Sequence, residues 1–148
     1  MRSTVEAETR PHELDDHTRR WYETRNQQTD RLDLAVIDRA TGSCVGEAVL
    51  NDWRPADDIV GFRILLGPAG RNRGLGTEAT GLITDYCFRN TTINRIELEV
   101  YAFNPRAQRA YEKAGFVVEG RQRQVLKFDG EYVDVIQMSI LRSEWKGR

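Results

Sequence analysis

Two short segments of the sequence contain residues suited to binding a charged ligand and to transferring a chemical group. The first lies between a predicted strand and a predicted helix, and it consists of Arg71, Asn72, Arg73, Gly74, Leu75, Gly76 and Thr77. Its glycines allow a tight turn that leaves backbone N–H groups uncovered. The start of the following helix adds a partial positive charge, and two arginines stand beside it. These features predict a loop that binds a diphosphate.

A plainer interpretation of this loop is a glycine-containing turn whose arginines are merely solvated. The loop lacks the Gly-Lys-Ser/Thr ending of nucleotide hydrolases. It also lacks the third glycine of dinucleotide-binding turns. A nucleotide-phosphate hydrolase is therefore disfavoured, also because no metal-binding carboxylates stand near the loop.

The second segment runs from Asn104 to Phe116 and combines a helix start with a polar face. Asn104 and Pro105 are typical of the N-cap and first position of a helix, and Gly115 is typical of its end. Asn104, Ala107 and Tyr111 are spaced by three and four residues, so they share one face. The small Ala107 leaves room for a ligand between the two polar groups. Taken alone, Asn104 is better explained as a simple cap and Tyr111 as a core aromatic with a satisfied hydroxyl.

The two segments together resemble the motifs of the GNAT superfamily of acetyltransferases. Arg71, Gly74 and Gly76 match its Arg-x-x-Gly-x-Gly pattern, and the run from Asn104 to Phe116 matches its Asn-x-x-Ala-x-x-x-Tyr-Glu-Lys-x-Gly-Phe pattern. The resemblance covers about residues 30 to 142. It implies an acetyl-CoA-dependent enzyme that transfers acetyl directly to a primary amine. The alternative is a non-catalytic acyl-CoA-binding module on the same fold.

The resemblance also implies roles for individual residues. The amides of residues 71 to 77 would hold the CoA pyrophosphate, and Leu65 and Leu66 would pair with the pantetheine arm. Asn104 would anchor that arm, and the Tyr111 hydroxyl would lie beside the thioester sulfur. Proton transfer from a tyrosine to a thiolate is uphill by about 1.5 pKa units, or about 2 kcal/mol. We therefore expect Tyr111 mainly to donate a hydrogen bond to the developing thiolate.

Glu99 is the candidate general base, because it resembles in position the catalytic glutamate of some bacterial ribosomal-protein N-terminal acetyltransferases. Glu97 is the reserve candidate and Glu47 a third. The alternative for Glu99 is a cross-strand ion pair with Arg95 or Arg121. The segments from Glu119 to Arg121, Asp129 to Asp134 and Met138 to Trp145 also resemble the ribosomal-protein branch. That branch also includes enzymes that act on small amines and antibiotics. The resemblance therefore implies only that the acceptor is a primary amine.

The elements that must position these residues follow from the hydrophobic pattern. Strands are predicted at Leu32–Ile37, Cys44–Leu50, Ile59–Leu66, Arg95–Tyr101 and Phe116–Val118, and in a hairpin of Val125–Phe128 with Tyr132–Leu141. Helices are predicted at Asp15–Gln28, at 75–88 and after Asn104. In the second helix, the apolar stripe comprises Leu75, Ala79, Leu82, Ile83, Tyr86 and Cys87. The result is an α/β fold with a mixed, mostly antiparallel sheet flanked by helices, whose splayed strands, by the resemblance, receive acetyl-CoA.

The start of the chain departs from the family pattern. Family members usually begin with a strand and one or two helices, whereas residues 1–12 are expected to be loosely ordered, with no clear first strand. An uncovered sheet edge would favour self-association, so a homodimer is a hypothesis. The loop Asn51–Asp58 could line the acceptor pocket through Asp52, Trp53, Asp57 and Asp58, although a solvated loop explains it too.

Composition limits the other functions. The 148 residues carry a net charge of −1, which predicts no general attraction to nucleic acid or to an anionic membrane. No apolar run reaches the roughly 20 residues that span a bilayer. No Cys/His spacing suggests a metal. Cys44 and Cys87 both lie in apolar patterns and are expected to be buried free thiols. We expect one cytoplasmic domain over residues 1–148.

Overall fold

The computed structural model describes residues 5–8, 31–71 and 74–147 of the chain. The strands are β1 (Val5–Glu8), β2 (Leu32–Asp38), β3 (Ser43–Arg54), β4 (Ile59–Leu66), β5 (Arg95–Tyr101), β6 (Val117–Phe128) and β7 (Glu131–Leu141). Within these residues they form one seven-stranded sheet in the order β1-β2-β3-β4-β5-β7-β6. Every neighbouring pair is antiparallel except β4 and β5. The mixed, mostly antiparallel sheet predicted from the sequence is confirmed.

Two α-helices connect the central strands in the described residues. Helix α1 (Leu75–Asn90) joins β4 to β5, and helix α2 (Pro105–Lys113) joins β5 to β6. Short 3-10 turns occupy Pro68–Gly70 and Arg142–Glu144. Apolar side chains from β2 to β5, from β7 and from both helices form a continuous core against the sheet. The helices therefore cover the central strands from which the functional residues project.

The strands β4 and β5 separate after a short paired stretch. Their register ends at Gly61 and Glu97, although β4 continues to Leu66 and β5 to Tyr101. The backbone groups beyond that point are not bonded from strand to strand. The sheet consequently opens into a cleft at its centre, as the family resemblance implied.

Several predicted boundaries were wrong in an informative way. β3 continues to Arg54, so the expected loop Asn51–Asp58 shrinks to its last four residues. The separate strands predicted at Phe116–Val118 and Val125–Phe128 are parts of β6, which stays paired to β7 across two irregularities in register. Val5–Glu8 forms a first strand, which the sequence pattern did not predict. The predicted helix Asp15–Gln28 lies outside the described residues.

Burial differs from expectation at three apolar positions. Cys87 is buried, whereas Cys44 is exposed near the turn between β2 and β3, and its thiol donates to the Gly46 carbonyl. Leu82 and Tyr86 on α1 are 40% and 48% exposed. Thr80 and Thr84 are buried in their place, and the Thr80 hydroxyl donates to the Gly76 carbonyl at 2.6 Å. This hydroxyl has its hydrogen-bond acceptor within the same helix, so a threonine can be buried there. The hydrophobic pattern had instead predicted that Leu82 and Tyr86 are buried.

Candidate active site

The cleft between β4 and β5 leads into two adjoining cavities. One has a volume of about 640 Å³ and the other about 970 Å³. Five residues line both cavities: Ile64, Leu65, Asn104, Ala107 and Tyr111. A ligand in one cavity would therefore meet a ligand in the other at this shared wall, which contains four of the residues predicted for the site: Leu65, Asn104, Ala107 and Tyr111.

The larger cavity lies between the end of β4, the start of α1 and one side of α2. Leu65 and Leu66 line it, as do Gly74, Gly76 and Thr77. Four cationic residues line it as well, and the described lining includes no carboxylate; the cations are Arg71, Arg106, Arg109 and Lys113. This charge suits a ligand with several phosphate groups.

The predicted phosphate loop forms the start of α1. Gly74 is the N-cap with a φ of 76°, a left-handed conformation that favours glycine, and no side chain caps the helix. The first N–H groups of α1 therefore have no capping acceptor and are available to an anion. The Arg71 Nε donates to the Leu66 carbonyl at 2.9 Å, which fixes this arginine to the end of β4.

The remaining residues of the predicted phosphate loop differ in burial and in the contacts they make. The side chain of Leu75 is fully buried in the core, so only its backbone is a candidate for ligand contact. Asn72 and Arg73 lie outside the described residues. The Thr77 hydroxyl donates to the Ala110 carbonyl at 3.4 Å, which ties the start of α1 to α2. The cavity walls are thereby held together across the helices.

Helix α2 presents its predicted polar face to the cleft. The Asn104 side chain caps the helix, because its Oδ1 accepts from the Ala107 N–H at 3.2 Å. That bond uses the oxygen and leaves the Asn104 amide nitrogen without a hydrogen bond to the described residues. The two explanations of Asn104, as a cap and as a ligand contact, are therefore compatible.

Tyr111 is buried but has an unused hydroxyl. Its ring packs edge-on against Phe62 at 6.4 Å and against Phe116 at 6.1 Å between centroids. Burial raises the pKa of Tyr111 to about 12. The hydroxyl makes no hydrogen bond with the described residues, although Tyr111 lines both cavities. A buried polar group without a partner, placed at a cavity wall, is a candidate for a ligand contact.

The smaller cavity contains the predicted base. Glu99 is exposed on β5, lines this cavity, and makes no hydrogen bond or ion pair with the described residues. The alternative of a cross-strand ion pair with Arg95 or Arg121 is therefore wrong for Glu99. Arg121 pairs instead with Asp134 at 2.7 Å.

Glu97, the reserve candidate, is engaged in a charged network. It binds Arg54, and the Arg95 Nε donates to it at 3.0 Å. Arg95 also donates to Glu119 at 2.9 Å, and this bond lowers the pKa of Glu119. Glu47, the third candidate, is absent from the described lining of both cavities. Of the three candidates, only Glu99 lines the smaller cavity without a hydrogen bond or ion pair to the described residues, and its role as the base stays a prediction.

The predicted loop Asn51–Asp58 contributes less to the smaller cavity than the sequence suggested. Asp52, which the structure places in β3, lines this cavity and has a left-handed φ of 51°. Trp53, Asp57 and Asp58 are not part of its described lining. The smaller cavity therefore receives one acidic residue from this segment.

The sequence reasoning missed an aromatic cluster at the rim of the cleft. Tyr101, Phe103 and Phe128 lie 5.3 to 6.3 Å apart between centroids, and all three are about half exposed. Tyr101 lines the smaller cavity, and the two phenylalanines line the larger one. It also missed Arg63, an exposed residue of β4 that lines the smaller cavity. For Tyr101 and Phe128, the sequence signal was an aromatic residue at the last position of a strand, where its side chain points away from the core.

The described residues contain no group of three or more His, Cys, Asp or Glu side chains that could hold a metal ion. Neither of their α-helices combines the length and apolar character that crossing a bilayer requires.

Comparison with known proteins places the whole arrangement in a family. A family model described as an acetyltransferase (GNAT) domain matches residues 1–117. A spermidine N(1)-acetyltransferase of Vibrio cholerae is 29% identical over 76% of this chain and 65% of its own length. An L-amino acid N-acetyltransferase of Escherichia coli is 31% identical over 72% of this chain and 65% of its own. A putative ribosomal N-acetyltransferase of Bacillus subtilis is 29% identical over 51% of this chain and 41% of its own.

The fold comparison agrees with the family match. The structure of a spermidine N-acetyltransferase mutant from Vibrio cholerae superimposes with a TM-score of 0.79 and 27% identity, covering 90% of this chain and 78% of that one. This chain spans 41% to 65% of the length of the three curated relatives. Their names include three kinds of acceptor, so they do not single out the ribosomal-protein branch.

Proposed function

The chain belongs to the GNAT family of acetyltransferases, and from this premise we propose that it is an acetyl-CoA-dependent N-acetyltransferase for small-molecule primary amines. The observation that carries the proposal is the unused hydroxyl of Tyr111 at the wall shared by the two cavities. A mere binding module would not need a polar group there, since its burial without a partner is unfavourable.

The larger cavity suits acetyl-CoA as the donor, which supplies a reactive thioester. The uncapped N–H groups of α1 and the basic residues Arg71, Arg109 and Lys113 would hold its phosphates. Leu65 and Leu66 offer the unpaired edge of β4 to the pantetheine arm. Asn104 would donate to that arm through its free amide nitrogen, and Ala107 leaves the space.

Glu99 would prepare the acceptor in the smaller cavity. An amine must be neutral to attack, so Glu99 would accept a proton from the ammonium, directly or through water. The new C–N bond forms as the C–S bond breaks, the electron pair of the C–S bond passes to sulfur, and the nitrogen releases its second proton to solvent to give the neutral amide. No covalent bond to the protein is involved, and Cys87 is buried with a pKa raised mainly by burial.

Tyr111 would stabilise the departing sulfur. With its pKa at about 12, Tyr111 donates a hydrogen bond rather than a proton, because the thiol has a pKa of about 8.5. The thiolate then takes its proton from solvent. The role expected of Tyr111 from the sequence is thus strengthened by its burial.

A small-molecule acceptor is favoured over a ribosomal protein. Two relatives that match more than two thirds of this chain are named for spermidine and for L-amino acids, whereas the putative ribosomal N-acetyltransferase matches 51% of it. The acceptor cavity of about 640 Å³ is also of a size typical for small ligands.

The test is to measure acetyl-CoA binding by calorimetry and thiol release with a panel of amines. Tyr111→Phe should lower kcat by about 100-fold while the Kd for acetyl-CoA stays within about threefold, since one transition-state hydrogen bond is lost. Tyr86→Phe is the matched control, because this exposed tyrosine of α1 lies outside both cavities. Full turnover by Tyr111→Phe, or no binding of acetyl-CoA by the wild type, would contradict the proposal.

A further inference from the structure

Arg63 occupies a distinctive place in the smaller cavity. It lies on β4 two residues beyond Gly61, the last residue of β4 that is paired with β5. The partner of Gly61 is Glu97, and Glu99 lies two residues beyond it. Because side chains alternate along a strand, Arg63 and Glu99 belong to the same side of the sheet. They therefore face the opening from its two opposite walls.

Neither Arg63 nor Glu99 has a charged partner in the part of the chain that the structure describes. Arg63 and Glu99 are both exposed, line the smaller cavity and make no ion pair with the described residues. The divergence of β4 and β5 explains why two opposite charges at equivalent positions of neighbouring strands do not bind each other. The cleft consequently presents a free guanidinium on one wall and a free carboxylate on the other.

The other arginines of this region are engaged. Arg95 binds Glu97 and Glu119, and Arg54 binds Glu97. Arg63 is also absent from the described lining of the larger cavity, so the donor's phosphates are not its expected partner. An anionic group in the smaller cavity is the remaining ligand that suits it.

We propose that Arg63 determines acceptor specificity by binding a carboxylate of the acceptor, so that the enzyme acetylates small zwitterionic amines such as amino acids. The acceptor's ammonium group would lie at Glu99 and its carboxylate at Arg63. A guanidinium matches a carboxylate geometrically through two parallel hydrogen bonds. A polyamine would place a second positive charge in the same cavity, where Arg63 repels it. The inference rests on the proposed function and names its substrate class.

The experiment compares L-amino acids with their C-terminal amides, which keep the amine and lose the negative charge. We expect wild-type protein to prefer the acids. Arg63→Ala should lower kcat/KM for the acids by about 10- to 100-fold, as the loss of a charged hydrogen bond implies, and change it for the amides by less than about twofold. The kcat/KM of Arg63→Lys for the acids should lie between those of the wild type and Arg63→Ala, because lysine keeps the positive charge but cannot form two parallel hydrogen bonds. Arg39→Ala, in an exposed turn outside both cavities, is the control.

The failures of the two proposals are distinguishable. If amines are acetylated but Arg63→Ala affects acids and amides equally, this inference is wrong and the proposed function stands. The same holds if spermidine is preferred to every acid and Arg63→Ala improves its use. If no amine releases thiol from acetyl-CoA, both are overturned. A thermal melt and acetyl-CoA titration of Arg63→Ala would show that the variant is folded and binds the donor.

Discussion

Tyr111 connects the stability of the protein to its chemistry. Its ring fills the core between Phe62 and Phe116, and its hydroxyl reaches the cleft. The same burial that places the hydroxyl raises its pKa to about 12. A phenol with this pKa stays protonated, and therefore able to donate, throughout the neutral and mildly alkaline range.

The raised pKa predicts a specific loss of stability in alkali. In the unfolded chain Tyr111 ionises near pH 10, and in the folded protein near pH 12. The contribution of the neutral Tyr111 hydroxyl to the free energy of unfolding is complete below pH 10 and is lost as the pH rises toward 12. The full shift corresponds to about 3 kcal/mol.

Urea unfolding at pH 8 and at pH 11 would measure about half of this loss, because pH 11 lies one unit above the pKa of Tyr111 in the unfolded chain and one unit below its pKa in the folded protein. Tyr111→Phe should lose less stability between the two than the wild type, and Tyr132→Phe, which is 65% exposed, should behave as wild type. Equal losses in Tyr111→Phe and wild type would show that Tyr111 does not carry the effect.

The residues of the site that carry backbone or capping roles were predictable from the sequence. Asn104 before Pro105 predicts a helix start, and the spacing to Tyr111 fixes the shared face. Arg63 was not predictable, because its meaning depends on where β4 and β5 separate. No local pattern records that point, since it arises from the lengths of two strands that are distant in the sequence.

At the scale of elements, the end of helix α1 depends on Arg142. This residue follows β7, and its guanidinium donates to the carbonyls of Phe88, Thr91 and Ile93 at 2.7, 2.7 and 3.0 Å. It also lies over the Phe88 ring at 5.1 Å. The last carbonyls of a helix lack partners within the helix, so a cation here satisfies them and complements the helix dipole.

Arg142→Met should therefore destabilise the protein by about 2 kcal/mol, because carbonyl groups lose a charged donor. Arg142→Lys should recover part of this loss. Thermal and urea unfolding would give the values, with Arg39→Met as the control in an exposed turn. Unchanged stability in Arg142→Met would mean that solvent replaces the guanidinium at no cost.

The bounds of a strand were predicted well where the local hydrophobic pattern defines them. They were predicted poorly where pairing with a distant strand defines them. β4 and β5 have the predicted bounds, because alternation and flanking turns define them. β6 was divided into two strands, since Gly120 and the polar run after it break the apolar pattern. Pairing with β7 keeps the strand continuous through its irregularities.

At the scale of the whole molecule, β6 is an edge strand of the sheet that the described residues form. It is about 40 Å long, a length set by twelve residues at about 3.3 Å each. Five of its large apolar side chains are at least 40% exposed: Val117, Val118, Val125, Leu126 and Phe128. The register irregularities and the basic residues Arg121, Arg123 and Lys127 disfavour a straight backbone pairing with another strand. The apolar side chains are therefore the better contact for a second copy of the chain.

We expect the protein to associate with itself through the exposed apolar side chains of β6. Val125→Lys should shift the particle toward the monomer, because association would bury a charge against apolar side chains. Gln122→Lys adds the same charge at a polar position of the same strand and should leave association unchanged. Light scattering over a range of concentrations, supported by sedimentation equilibrium, would measure the mass of each variant. A wild-type protein that remains monomeric at high concentration would show that β6 is a solvated edge, kept from pairing by its irregularities and charges.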